Sequence, residues 1–172
     1  MFYNILKNFF LKKNVNKRLS FCDSNGSNGQ IIIVGIIVDE SYFSETGQLV
    51  ERIVSQGIDN HNIFVLVYKD KISKKEVVQE PFLTLKDISY SGEIKNKEVN
   101  NFLSTSFDLL INYYDVNKSG PMLLTTVSKA KFKVGFDTVD KRLNHLIIKS
   151  TIENFNEFVL EMFKYLKILN KI

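Results

Sequence analysis

Cysteine is nearly absent from this 172-residue chain: Cys22 stands alone, so no disulfide can close within it. That fits a reducing compartment and points to the cytoplasm. Histidine is almost as scarce. His61 and His145 are the two present, and neither they nor Cys22 shows the ligand spacing of a zinc site, so no metal is expected. No apolar run approaches the roughly 18 residues of a membrane-spanning helix. The first residues have no continuous apolar stretch followed by a small-residue cleavage site, which argues against a signal peptide. The phosphate-binding patterns G-x-G-x-x-G and G-x-x-x-x-G-K-[ST] are missing, and so is the G-x-S-x-G nucleophile elbow. The sequence therefore assigns no catalytic residue and no cofactor.

What is present is a complete strand–helix–strand pattern at 107–137, FDLLINYYDVNKSGPMLLTTVSKAKFKVGFD. Phe107 to Tyr114 is apolar with little alternation, as a strand buried on both faces of a parallel sheet requires. Asp115 to Gly120 is a polar turn. Ser119 suits an N-cap, and Pro121 falls in the first helical turn, where its missing N–H costs nothing. Met122, Leu123 and Val127 give a helical stripe, and Phe132 to Phe136 reads as the next strand. A connection of this length joins parallel strands.

The rest of the chain repeats that logic. Residues 31–38, IIIVGIIV, form the most hydrophobic run and predict a central strand, with Gly35 marking a close approach. Leu49, Val50, Ile53 and Val54 stripe a helix that Gly57 stops. Asn62 to Tyr68 is a strand, 69–80 an exposed excursion, and Phe82 to Leu85 a short edge strand behind Pro81. Lys97 to Leu103 is helical and Asn144 to Lys149 is a strand. Ser150 and Glu153 match a capping box ahead of a last helix striped by Phe155, Phe158, Val159, Met162, Phe163, Leu166 and Leu169. The fold class is α/β: one three-layer Rossmann-like domain over residues 31–172, with a mostly parallel sheet of about five strands. Before it come a basic amphipathic helix or arm over residues 1–20 and a turn-rich linker over 21–30.

The segments FDLLINYY and LLTTVSKAKFKVGFD resemble part of the N-terminal Rossmann-like domain of heptosyltransferase-type glycosyltransferases. The resemblance spans about thirty residues and implies a sugar-nucleotide-related transferase, or a degenerate half of one. The whole chain, notably its ending FKVGFDTVDKRLNHLII and YLKILNKI, is similar to a family of small uncharacterised bacterial proteins with no assigned activity.

Two sets of residues carry the functional expectations. Asp39, Glu40, Tyr113, Tyr114, Asp115, Lys118, Ser119 and Asp137 follow or end predicted strands. In an open α/β sheet, strand C-termini share one edge, where ligands bind. These residues either line a cleft there or serve as caps and loop solvators. The second set is the arm. Phe2, Ile5, Leu6 and Phe9 share one helical face, and Lys7, Lys12, Lys13, Lys17 and Arg18 surround it with no acidic residue. With a net charge of +4, this arm suits an anionic partner: an RNA or ribonucleoprotein, a protein complex or, less well, a membrane surface. The expected function is a non-catalytic binding or assembly module, with the transferase as the alternative.

Overall fold

A computed structural model describes residues 2–20, 29–72 and 80–172. Cys22, most of the 21–30 linker and most of the 69–80 excursion lie outside the described residues, as do the side chains of Phe2 and Tyr3. Six strands form one sheet: β1 (Val34–Asp39), β2 (Ile63–Tyr68), β3 (Phe82–Leu83), β4 (Leu109–Tyr113), β5 (Lys133–Phe136) and β6 (Leu146–Ile148). Every neighbouring pair is parallel, and the order is β3-β2-β1-β4-β5-β6. The sheet is thus Rossmann-like, one strand larger than the sequence estimate. β1 and β4 lie side by side in the middle and are buried along their whole length, as two uninterrupted apolar runs demand.

Helices α1 (Phe2–Leu19), α2 (Thr46–Val54), α3 (Lys97–Ser104), α4 (Ser119–Val127) and α5 (Phe155–Ile168) make the outer layers. Leu49 and Ile53 of α2, with Phe158, Met162 and Phe163 of α5, pack with Ile36, Val38, Ile111 and Val134 on one face. Leu11 and Val15 of α1, Val99 and Phe102 of α3, and Leu123 of α4 pack with Ile37, Leu66 and Leu110 on the other. Gly35 is a point of close approach: a Cβ there would lie 2.7 Å from the Phe107 ring. Gly57, at φ +104°, turns the chain after α2.

Three local expectations change. Ser119 is the first residue of α4 and Lys118 takes the N-cap position, with no side-chain cap. Asn154, not Ser150, caps α5, accepting from the Glu157 N–H. The reason is packing: Ile152 is buried, and its carbonyl accepts from the Tyr113 hydroxyl at 2.7 Å, so 150–153 is held as a turn. The largest change concerns the N-terminus, where a basic amphipathic helix or arm ahead of the domain was expected. One helix runs through to Leu19. It packs through Lys7, Leu11, Val15 and Leu19, all buried, a spacing of four that keeps one face. The apolar residues the sequence selected point the other way: Ile5, Leu6 and Phe9 are exposed, Phe9 by 64%.

Candidate functional site

In a sheet of this order the crevice for ligands opens beyond the C-terminal ends of the two middle strands. β1 ends at Asp39, and β4 leads through a short turn into α4, so Asp39, Glu40, Lys118 and Ser119 do meet there. Lys118 Nζ lies 2.8 Å from Asp39 Oδ2 and 2.7 Å from Asp70 Oδ2. The Tyr42 ring centroid is 4.2 Å from the same ammonium. Burial would lower the Lys118 pKa, but the carboxylates of Asp39 and Asp70 outweigh it and hold it above the usual lysine value. Glu40 pairs with Lys69 at 3.0 Å and accepts from the Thr46 hydroxyl at 2.6 Å. The Tyr68 ring lies against Gly120, where a Cβ would come within 2.3 Å of it. Ser119 Oγ donates to Asn8 of α1. The protein's own charges therefore pair with one another at the switch point, beside a hollow of about 290 Å³ lined by Asn8, Tyr68, Asp70, Lys118 and Ser119. Lys118, one of the residues expected in a strand-end cleft, is committed to two carboxylates.

The other residues expected in that cleft go elsewhere. Tyr113 and Tyr114 are core residues, the first bonded to Ile152 and the second to Thr125 at 2.6 Å. Burial raises both phenol pKa values. Asp115 is half-buried, and its carboxyl is pushed up first by burial and further by Glu153 and Asp39. Asp137 is half-buried beyond β5. His61 is exposed and paired with Asp59. His145 accepts from the Lys133 N–H and stacks on Phe132. Among the described residues no group of three His, Cys, Asp or Glu side chains is placed to hold a metal. No described helix is long and apolar enough to cross a membrane.

The outer face of α1 is a more open surface. Of the expected basic set, Lys12, Lys13, Lys17 and Arg18 are exposed. Lys7 is not: it is 2% exposed, and its ammonium donates to the Lys86 carbonyl at 3.4 Å. Along the outer face, Ile5, Leu6, Phe9 and Phe10 come first and the cations follow, so the helix is polarised along its axis rather than around it. Phe10 meets Phe9 and Tyr90 edge to face, with centroids at 5.9 and 6.1 Å.

Tyr90 belongs to a turn between β3 and α3. Buried Ile88 and Ile94 bridge its base, Gly92 turns it at φ +84°, and Asn14 of α1 donates to the Ser91 carbonyl. Exposed Lys86, Lys95 and Lys97 line the hollow of about 670 Å³ beside Tyr90, together with Asp87 and Glu93. The rings of Phe9, Phe10 and Tyr90 thus run from α1 to this mixed-charge hollow, while Lys12 lies toward α4, beside Asn117 and Lys118. The alternation of Ile88, Tyr90 and Ile94 was the available signal. Nothing local tied that turn to a helix some eighty residues upstream.

Over residues 7–169 the chain matches the family described as "Family of unknown function (DUF6913)", and it belongs to that family. Neither a curated protein nor a solved structure matches it.

Proposed function

We propose that this family member is a non-catalytic binding or assembly module in the cytoplasm. It grips an anionic partner, a single-stranded RNA or a ribonucleoprotein, through the outer face of α1 and the adjoining Tyr90 turn. The observation behind this reading is the run of rings Phe9, Phe10 and Tyr90, which ends at a hollow lined by Lys86, Lys95 and Lys97, on a helix whose later exposed positions carry Lys12, Lys13, Lys17 and Arg18. Rings that accept bases by stacking, beside cations that track a phosphate backbone, are the means by which proteins hold single strands without base readout. A bilayer suits the face less well. Its apolar residues fill only the first turns, and α1 is fastened to the domain by its inner stripe, so it cannot roll into an interface. A sugar-nucleotide transferase draws no support from the strand ends, where Asp39, Asp70 and Lys118 already occupy the switch point.

The test is anisotropy of a fluorescent 12-nucleotide single-stranded RNA titrated with the full chain. The triple variant K12E/K13E/K17E, altered only at exposed positions, should keep its melting temperature and lose at least tenfold in affinity. If three phosphate contacts disappear, the salt slope should flatten by roughly 2. Phe10→Ala with Tyr90→Ala should weaken binding and leave the slope unchanged. RNA binding indifferent to salt and to the charge reversals would refute the reading. Binding to phosphatidylserine vesicles but not to RNA would make the partner a membrane.

A further inference from the structure

The second surface lies at the β2 edge of the sheet, between α2 and α3. β3 pairs with only the last two residues of β2, Val67 and Tyr68. The cause is one residue. The Val67 N–H donates outward to the Pro81 carbonyl, and the Lys69 N–H to Leu83. The next rung down would need an N–H from residue 81 to the Val65 carbonyl, and proline has none. Alternate residues of a strand face the same edge, so Val65 directs its N–H and carbonyl outward. Among the described residues nothing pairs with it there. The Ile63 N–H is already taken by Asn60.

This unpaired edge lies in a trough rather than on a flat rim. Val50 and Val54 of α2 form one wall and Phe102 of α3 the other, with Phe64, 47% exposed, on the α3 side. The trough has a volume of about 1060 Å³. Three exposed carboxylates line it: Glu51 on the α2 wall, Glu98 on the α3 wall and Glu80 before β3. Among the described residues that line it there is no lysine, arginine or histidine.

We propose that this trough takes an extended peptide segment of a partner protein as an added strand on the lower half of β2, and that the segment carries lysine or arginine toward both walls. Strand addition supplies the ladder partners that Val65 lacks among the described residues, and apolar side chains seat against the two walls. The rim selects charge. An acidic segment would meet like charges on both sides, whereas a cation directed to either wall finds Glu51 or Glu98. The surface is separate from α1 and acts on a cationic peptide instead of an anionic strand.

The experiment uses the full chain and a fluorescein-labelled peptide, Thr-Lys-Val-Val-Lys-Val-Thr, whose two lysines face opposite walls when extended. Controls are the same peptide with glutamate for both lysines, and one N-methylated at alternate residues, which cannot complete a ladder. The lysine peptide should bind at least tenfold more tightly than either control. The variant E51K/E98K, altered only at exposed positions, should reverse the preference between lysine and glutamate peptides. Saturating peptide should slow hydrogen exchange of the Val65 amide at least tenfold, a readout that needs no destabilising substitution. The proposal fails if no peptide binds, if the two charge types bind alike, or if Val65 exchange is unmoved. Light scattering that shows a concentration-dependent dimer with Val65 already protected would name a second copy as the occupant and overturn the proposal too.

Discussion

Lys118 and Asp39 show how a single residue can close a site. Asp39 is 2% exposed and its side chain keeps one cation, Lys118, within 2.8 Å. Removing one member of a buried pair leaves the other uncompensated, at a cost of about 3–5 kcal/mol. Lys118→Met should lower stability by that order in urea melts, and the double change with Asp39→Asn should recover part of it. Gly120→Ala drives a methyl into Tyr68 and should cost about 1–3 kcal/mol by the same measurement. Asp108 responds to pH instead. Burial would raise its pKa, but Lys131 at 2.8 Å and the N–H groups of Ile33 and Ile32 outweigh burial and hold the carboxyl below its ordinary value. A carboxylate depressed in the folded state adds stability above its unfolded pKa, near 4, and that stability is lost as pH falls through the lower folded value. Melts of Asp108→Asn should therefore differ from the parent at pH 6 and converge with it as the pH drops well below 4. None of these pairings was legible in the sequence, because their partners lie 23 to 79 positions apart. The types were visible as carboxylates and a lysine near strand ends, but which of them would meet was not.

Among the elements, α1 has two faces with separate roles. Leu11, Val15 and Leu19 close one core of the domain. Leu11→Ala should cost about 2–5 kcal/mol, as for other large-to-small core changes, and removal of residues 1–20 should unfold the domain or leave it molten. Charge reversals at Lys12, Lys13 and Lys17 should leave the thermal midpoint within about 2 °C, since exposed substitutions stay within roughly 0.5 kcal/mol. The sequence identified the helix, its basic character and its more apolar face, but not the stripe by which it packs on the domain. Phe2, Ile5, Leu6 and Phe9 are more hydrophobic than the stripe that packs. Hydrophobic periodicity reports which face is apolar, not which face a neighbour covers. Here α4 and the Tyr90 turn present grooves to the 7–11–15–19 stripe, with Asn8 and Asn14 fixing the register through Ser119 and Ser91. The strands were far easier to place. Each apolar run became a strand shorter by a residue or more than its run, and Pro81 marked the edge because its missing N–H acts locally.

For the molecule as a whole, parallel pairing and the central positions of β1 and β4 were legible because burial on both faces leaves no polar alternation to misread. The aromatic strip and the trough were not, because each is assembled from segments that meet only after the sheet has formed. The order of that sheet has a consequence for how the chain reaches its structure. β2 joins β1 at a sequence separation of 29, β5 joins β4 at 23 and β6 joins β5 at 12, whereas β1 joins β4 at 75, Val34 opposite Leu109. Closing that one long loop is the least local pairing within the sheet. Ile36 and Ile111 face each other across it, both fully buried. If their junction forms in the rate-limiting step, Ile111→Val should slow refolding in stopped-flow experiments, while Ile148→Val on the outer β6 should instead speed unfolding. The chain would then ripen as two halves, residues 31–83 and 107–166, that wait on a single closing seam.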